Sequence, residues 1–172
     1  MTAIYLSLGS NMGDREQNIA RAIESMSSHG IRVTKRSSLY ETEPIDVRGD
    51  GWFLNAAVEA ETPLAPSQLM RSLLEIERQL GRTRKVPVPE SLDRLKDSRT
   101  IDIDVLLYGD TIIHSLELQI PHPRMANRRF VLVPLAEIAP NALHPVLKQS
   151  IFELLAETPD HSKVSIFAPV KH

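Results

Sequence analysis

The chain has no cysteine among its 172 residues, which excludes disulfides, thiolate nucleophiles and Cys-ligated zinc. Aromatic residues make up only 5% of the sequence, which is little for a surface that stacks the bases of RNA. No apolar run approaches the length of a membrane span. The formal net charge is −2, so no global basic field draws the molecule to nucleic acid or anionic lipid. We therefore expect neither as a partner, and a site for an anionic ligand must be local.

The remaining composition is that of an ordinary globular protein. With 42% hydrophobic and 24% charged residues, the chain predicts a single domain over 1–172 whose core needs no disulfide or structural metal. The segment 1–8 lacks a charged leader and is apolar only briefly, which favours a first strand over a secretory signal. We therefore expect a cytoplasmic protein, and we expect it to be a monomer.

Hydrophobic periodicity predicts alternating strands and helices. Ile4, Leu6 and Leu8 alternate with polar residues as in a half-buried strand, and Gly9 and Gly13 are expected in the turn that follows. The first helix is predicted over 14–29 and the second over 66–80, each stopped by a glycine. Strands are predicted at 31–39, 53–60 and 101–107, and the last is expected to form a hairpin with 111–113 through the turn at 108–110.

This order of elements predicts an α+β fold. It is the βαββαβ order of a ferredoxin-like core, in which an antiparallel sheet carries its helices on one face. The rest of the chain adds a C-terminal hairpin and two short helices, near 127–132 and 150–156. On the third strand, Phe53 and Asn55 share the face opposite Leu54, and periodicity leaves open whether that face is wet.

Asp102 and Asp104 are the most informative local feature of the sequence. Strand alternation places both carboxylates on one face, while Ile101 and Ile103 point into the core. Their Cα atoms would lie roughly 6.5–7 Å apart, so one Mg²⁺ could bridge them or two could bind side by side. A solvated strand face is the commoner outcome for an isolated pair of acids, so the interpretation depends on the neighbouring residues.

A charged segment stands directly before this pair. With two prolines and little apolar periodicity, it predicts a long mobile loop over 82–99. Guanidinium groups make bidentate contacts to phosphate, so this segment and a metal on the acids could together neutralise a nucleotide triphosphate. The alternative is that its charges only keep a disordered loop soluble. Six basic residues oppose three acidic ones here, and the basic residues are Arg82, Arg84, Lys85, Arg94, Lys96 and Arg99.

A second distinctive string covers 121–130. His122 lies between two prolines, and Arg128 opens a predicted helix. A rigidly held histidine beside an arginine suits contact with an anion, but both residues could equally be ordinary surface side chains.

These residues belong to a set of motifs that closely resembles the 6-hydroxymethyl-7,8-dihydropterin pyrophosphokinase family of the folate pathway. The resemblance implies an ATP-dependent diphosphotransferase that moves the β,γ-pyrophosphoryl unit of ATP to the hydroxymethyl oxygen of the dihydropterin and releases AMP. It also implies ATP and that pterin as substrates. The motifs follow one another over most of the chain, at 5–11, 38–44, 53–58, 76–77, 81–84, 99–109, 121–123, 127–130 and 134–140.

The resemblance further assigns residues to the site. Two Mg²⁺ ions, bound with ATP, would be held by Asp102 and Asp104, which form the catalytic set with Arg82 and Arg84. The pterin would lie between Phe53 and Phe130, and Asn55 would pair with its amide-like edge. Thr42, Glu43 and Ile45 would line that pocket, largely through backbone. The contacts to ATP would come from Glu77, Arg82, Arg84, Arg99, His122 and Arg128.

Three features depart from the family pattern. The loop between Arg84 and Arg99 is longer than in many members and lacks the tryptophan often found there, so closure over ATP is expected to differ. Glu117 and Gln119 stand where many members have a basic residue and a hydroxyl, and those contacts are not carried over. Phe53 replaces a frequent tyrosine.

Other functions remain open on the residues alone. A metal-dependent phosphohydrolase would use the same acids and arginines with water as nucleophile. A ferredoxin-like binding module for RNA or a small regulatory ligand would have no turnover, and a relative of the folate enzyme could bind without catalysing.

Overall fold

The computed structural model describes residues 1–42, 52–81 and 100–167, which form an α+β fold around one antiparallel sheet. The helices of this part of the chain are α1 (Arg15–Met26), α2 (Pro66–Gly81), α3 (Arg129–Ile138) and α4 (Ile151–Glu157), with single 3₁₀ turns at Ser27–His29 and Met125–Asn127. The strands are β1 (Thr2–Ser10), β2 (Arg32–Arg36), β3 (Tyr40–Thr42), β4 (Phe53–Thr62), β5 (Asp102–Tyr108), β6 (Ile113–His114), β7 (Gln119–Ile120) and β8 (Val164–Ile166).

The main sheet is ordered around β1 and β4. β1 lies between β5 and β4 and pairs antiparallel with both. On its other side, β4 pairs with β2 and then with β3, and β3 also pairs with β8. The sequence thus predicted the two central strands and β5, but it did not predict β8.

One face of the sheet is covered by α1 and α2. Ile4, Leu6 and Leu8 of β1 pack in one buried cluster with the apolar stripes of these two helices. Asp14 caps α1 by accepting the N–H of Gln17 at 3.1 Å, and the chain leaves this helical region at Gly30, whose φ of 79° suits glycine. Both helices therefore form where their periodicity and end signals predict them.

The opposite face is covered by α3 and α4. Ala57 of β4 lies in a second buried cluster with Leu132 and Leu135 of α3 and with Leu154 of α4. The two helices predicted for the core, α1 and α2, thus share one face, and the two added helices cover the other, which the sequence analysis had not assigned to a face. Alternation along β4 marks two faces, but small residues such as Ala57 did not show that a helix packs on the second one.

Several boundaries also differ from the prediction. The strand expected over 31–39 ends at Arg36, and a separate strand, β3, begins at Tyr40, just beyond the predicted range. The turn after β5 forms, with Thr111 N–H donating to Tyr108 O at 2.9 Å, but β6 pairs with β7 rather than with β5. The helix expected at 127–132 begins at Arg129 and runs to Ile138. Gly9 lies within β1, and only Gly13 of the predicted turn pair has a positive φ, 68°.

The predicted loop over 82–99 lies outside the described residues. Among the residues that are described, no helix is both long and apolar enough to cross a lipid bilayer.

Candidate active site

A row of three residues crosses the centre of the sheet. Gly9 of β1 is the register partner of Asn55 on β4 and of Asp102 on β5. Directly opposite residues of antiparallel strands project to the same face, so all three belong to the face that α3 covers. With neighbouring strands about 4.8 Å apart, the Cα atoms of Asn55 and Asp102 lie roughly 10 Å from each other. An amide and a carboxylate therefore flank a position that has no side chain.

Gly9 cannot carry a side chain here without displacing Asn55. A Cβ at Gly9 would lie 2.9 Å from Asn55 Oδ1 and 4.0 Å from Phe53 Cδ1. The sequence analysis expected a turn glycine and assigned it no site role. A glycine inside an alternating strand pattern is the signal that indicates such a close approach.

Asp102 and Asp104 lie at the open end of β5 as half-buried side chains, while Ile103 between them is 4% exposed. The predicted alternation is thus confirmed. Asp104 is the register partner of Ser7, one alternation step along β1 from Gly9. Both carboxylates therefore project on the face that carries Asn55.

Glu77 of α2 approaches this pair from the edge of the sheet. Its Oε2 accepts the N–H of Ile103 at 2.8 Å, which satisfies a backbone donor on the edge strand. Burial raises the pKa of Glu77 to about 8; the Ile103 hydrogen bond opposes this, and the charges of Asp102 and Asp104 add to it. Three carboxyl groups are thus gathered where a cation would be favoured.

His122 faces the same carboxylates. Its Nε2 is 3.9 Å from Asp104 Oδ2, and its Nδ1 accepts the backbone N–H of Arg124 at 3.1 Å. An Nδ1 that accepts leaves the proton of the neutral ring on Nε2, the nitrogen that faces Asp104. Burial lowers the pKa of His122, and the positive charges of Arg128 and Arg124 lower it further, against the opposing effect of Asp102. The site thus presents a neutral imidazole N–H.

Arg128 stands at the N-terminus of α3 beside this histidine. Its Cζ lies 5.6 Å from the centroid of the Phe130 ring, so the guanidinium covers one face of that ring. Phe130 itself is partly buried against the second core cluster. The charge of Arg128 acts on His122, and its guanidinium lies over the Phe130 ring.

The carboxylates of Asp102 and Asp104 have the donor chemistry of Mg²⁺ ligands. Over 1–42, 52–81 and 100–167, no group of three or more His, Asp or Glu side chains is arranged to hold a metal ion. Mg²⁺ is commonly bound through one or two carboxylates together with substrate phosphates and water. Asp102 and Asp104 supply hard oxygen ligands of that kind on one half-exposed face.

Thr42, Phe53 and Asn55 form the other half of the site. Thr42 and Phe53 are register partners at the ends of β3 and β4, and Asn55 Nδ2 donates to Thr42 Oγ1 at 2.8 Å. Asn55 is 3% exposed and Thr42 5% exposed, whereas Phe53 is only partly buried. The sheet face is therefore dry at Asn55 and opens toward Phe53.

The structure brings two groups of predicted site residues together. One group consists of four neighbouring residues, Asp102, Asp104, Glu77 and His122. Gly9 of β1 lies between this group and the second group, at the ends of β3 and β4. Five further predicted site residues lie outside the described residues: Glu43, Ile45, Arg82, Arg84 and Arg99.

Comparison with known proteins relates the chain to one family. The family model described as 7,8-dihydro-6-hydroxymethylpterin-pyrophosphokinase matches residues 5–140. The 2-amino-4-hydroxy-6-hydroxymethyldihydropteridine pyrophosphokinase of Bacillus subtilis is 44% identical over 135 residues, which cover 78% of this chain and 76% of that protein. The folic acid synthesis protein fol1 of Pneumocystis carinii is 43% identical over 92% of this chain, which spans only 20% of that longer protein.

A solved structure is similar in fold. The crystal structure of Plasmodium falciparum HPPK-DHPS with pteroate matches with a TM-score of 0.69 and 15% sequence identity, and the match covers 91% of this chain and 44% of that chain. At that identity the likeness shows the fold alone.

Proposed function

The chain belongs to the 7,8-dihydro-6-hydroxymethylpterin-pyrophosphokinase family and is a pyrophosphate-transferring enzyme of folate biosynthesis, and we propose that it uses ATP as donor and 6-hydroxymethyl-7,8-dihydropterin as acceptor. The products are AMP and the pterin diphosphate. The observation that carries the proposal is the row Asn55, Gly9, Asp102, because it brings an amide that can pair with a heterocycle to the edge of a carboxylate pair.

Asp102 and Asp104 are the proposed ligands of two Mg²⁺ ions that arrive with ATP. When bound, such ions neutralise phosphate charge and increase the electrophilicity of the phosphorus under attack. The charges of Asp102 and Asp104 help to raise the pKa of Glu77, so the three carboxyl groups lie within electrostatic reach of one another, which supports the assignment.

His122 and Arg128 are the proposed contacts to the phosphate oxygens. The Nε2–H of a neutral imidazole donates one hydrogen bond, and the guanidinium of Arg128 offers a charged, bidentate one. We extend the ATP assignment to Glu77 and to three arginines outside the described residues, Arg82, Arg84 and Arg99, the first two as part of the catalytic set.

The transfer balances as an in-line displacement. The hydroxymethyl oxygen of the pterin forms a bond to the β-phosphorus, and the bond from that phosphorus to the α,β-bridging oxygen breaks. The bridging oxygen leaves with AMP, and the hydroxyl proton passes to solvent. The protein contributes mainly position and charge, which is the usual division in phosphoryl transfer.

The pterin is proposed to bind on the Asn55 side of Gly9. Phe53 and Phe130 would contact its two faces, and the Asn55 amide, held in orientation by Thr42, would pair with its amide-like edge. Glu43 and Ile45, outside the described residues, are assigned to the same pocket. The bare backbone of Gly9 leaves the space through which the hydroxymethyl group reaches the phosphates.

The sheet supports a ferredoxin-like core with additions. The order β5, β1, β4 followed by β2 and β3 corresponds to a βαββαβ unit in which the second strand is divided. The helices α1 and α2 share one face, as that arrangement requires, while α3, α4 and β8 are additions.

The test is the identity of the nucleotide product. Incubation with ATP, Mg²⁺ and the dihydropterin should yield AMP by chromatography, and mixtures that lack pterin or Mg²⁺ should yield none. Asp102→Asn and Asp104→Asn should each lower turnover by about 10²-fold or more, on the scale seen when one group that stabilises transition-state charge is lost. Asp110→Asn, a change to an exposed acid just beyond β5, is the matched control and should leave turnover unchanged. ATP cleavage without pterin would indicate a phosphohydrolase instead.

A further inference from the structure

We infer that Arg15, on the face of the sheet opposite the site, is a positioning residue for the pterin pocket. The inference rests on the proposed function, because it concerns how that pocket is held. It would make Arg15 a determinant of pterin affinity that has no contact with the pterin.

Arg15 binds the ends of both strands that carry the pocket. Its Nη1 donates to Trp52 O at 2.6 Å, and its Nη2 donates to Glu41 Oε2 at 2.9 Å in a salt bridge. Glu41 directly precedes Thr42, and Trp52 directly precedes Phe53. One guanidinium therefore connects the residues adjacent to the register pair Thr42 and Phe53.

The register shows that Arg15 acts from the other side of the sheet. Glu41 is the partner of Leu54, and Leu54 belongs to the buried cluster of the α1 and α2 face. Thr42, one residue later, projects to the opposite face together with Phe53. The guanidinium can thus hold the strand ends in place without occupying the pocket.

The base of the Arg15 side chain is itself fixed. Asp14 caps α1, and Asn18 Nδ2 donates to Met12 O at 2.8 Å, which ties the first turn of the helix to the segment that follows β1. The guanidinium Cζ also lies 5.7 Å from the centroid of the Phe167 ring. A rigid base and three separate contacts restrict the guanidinium to one geometry.

Helix stability does not account for an arginine at this position. A cation in the first turn of a helix is opposed by the helix dipole. The ion pair is also partly solvated, with side chains 23% and 33% exposed, and such pairs contribute little to global stability. The contribution of Arg15 is therefore expected in the local geometry of the strand ends.

The experiment compares Arg15→Gln with Arg32→Gln in the full chain. Arg32 forms the salt bridge to Glu61 near the other end of β4, at 3.3 Å, so its variant removes an ion pair on the same strand away from the pocket. Calorimetry measures binding of the dihydropterin alone and of Mg²⁺ with a non-hydrolysable ATP analogue. Steady-state kinetics gives kcat and both KM values.

The expected result is selective for the pterin. Arg15→Gln should raise the pterin Kd and KM about tenfold, which corresponds to ~1.4 kcal/mol, and should change ATP-analogue affinity less than twofold. Arg32→Gln should change neither. Arg15→Lys should restore only part of the affinity. Lysine keeps the positive charge, but an ammonium on a flexible stem cannot span both acceptors as the guanidinium fork does. Glu41→Gln, which keeps the acceptor and removes its charge, should shift the pterin Kd in the same direction by less.

Each contrary result has a distinct meaning. Wild-type pterin affinity in Arg15→Gln, with the wild-type protein binding and turning over both substrates, would overturn the positioning role and leave the proposed function standing. Equal losses for pterin and ATP, accompanied by a lower Tm, would reduce Arg15 to a general structural residue and also overturn it. Failure of the wild-type protein to form AMP from ATP, Mg²⁺ and the dihydropterin would overturn the proposed function itself. If Arg15→Gln does not fold, Arg15→Lys and Glu41→Gln decide the question.

Discussion

Replacing Gly9 with alanine tests the site at the point where its two halves meet. The added Cβ would lie 2.9 Å from Asn55 Oδ1, whereas ordinary contacts begin near 3.4 Å, so the amide or the strand must move by about 0.5 Å. Asn55 is 3% exposed and donates to Thr42 at 2.8 Å, so its amide cannot turn aside without breaking that bond. The backbone conformation at this position is compatible with alanine, because Gly9 lies in a strand and has no positive φ.

The magnitude follows from this displacement. A misplacement of about 1 Å in a binding site can lower a rate by roughly 10²-fold, so a shift of half that size should lower kcat/KM for the dihydropterin by about 10-fold. The free energy of unfolding should change less than the strain alone would suggest. Alanine at a compatible backbone position lowers the entropy of the unfolded chain, which stabilises the folded state by about 0.4–1 kcal/mol and offsets part of the strain. The affinity for ATP should stay close to the wild-type value.

The assay is steady-state kinetics with varied pterin at saturating ATP, together with urea unfolding. In an Asn55→Ala background the Oδ1 is gone, and the nearest of the remaining atoms is Leu54 O at 3.9 Å from the new Cβ. Adding Gly9→Ala to that background should therefore cost much less stability than adding it to the wild type, a non-additivity expected for groups in contact. Wild-type kcat/KM in Gly9→Ala, or additive effects on unfolding, would refute the contact as the cause.

Two further predictions concern how α3 is held. Tyr40→Phe removes the hydroxyl that donates to Glu137 of α3, a carboxylate that also accepts the Ser38 N–H at 2.9 Å, and should lower the free energy of unfolding by about 1–2 kcal/mol in urea. In Tyr40→Phe, Glu137 loses one of its hydrogen-bond donors. Ser38→Ala keeps the backbone N–H donor to Glu137, so it should lower the free energy of unfolding by less than Tyr40→Phe does. Burial would raise the pKa of Asp160, but hydrogen bonds from the Arg129 and Ser162 N–H groups lower it overall. Its stabilisation is therefore present above the unfolded-state pKa and lost as pH falls through the lower folded-state value, so Asp160→Asn should flatten the acid limb of the unfolding curve; an unchanged acid limb would contradict this.

The local elements and the chemistry-bearing pair could be predicted from the sequence. Periodicity of two and of 3.6 residues, a capping Asp14 and the stop at Gly30 act within a few residues of chain, so they indicate β1, α1, β4 and α2 without reference to anything distant. The placement of Asp102 and Asp104 on one face follows from the same local rule. The motif order also identified the family, since such motifs are a property of the sequence alone.

Only the tertiary structure decided how these elements meet. Residues 9, 55 and 102 become neighbours because β1 pairs with both β4 and β5 in a definite register. The contacts of Arg15 span 26 and 37 residues of sequence. Alternation within a strand fixes which residues share a face, but which distant segments pair and which helices cover each face is decided by packing between those segments. The sequence by itself therefore determined which side chains are present, and long-range strand pairing determined that an amide, a bare glycine backbone and two carboxylates lie side by side on one face of the sheet.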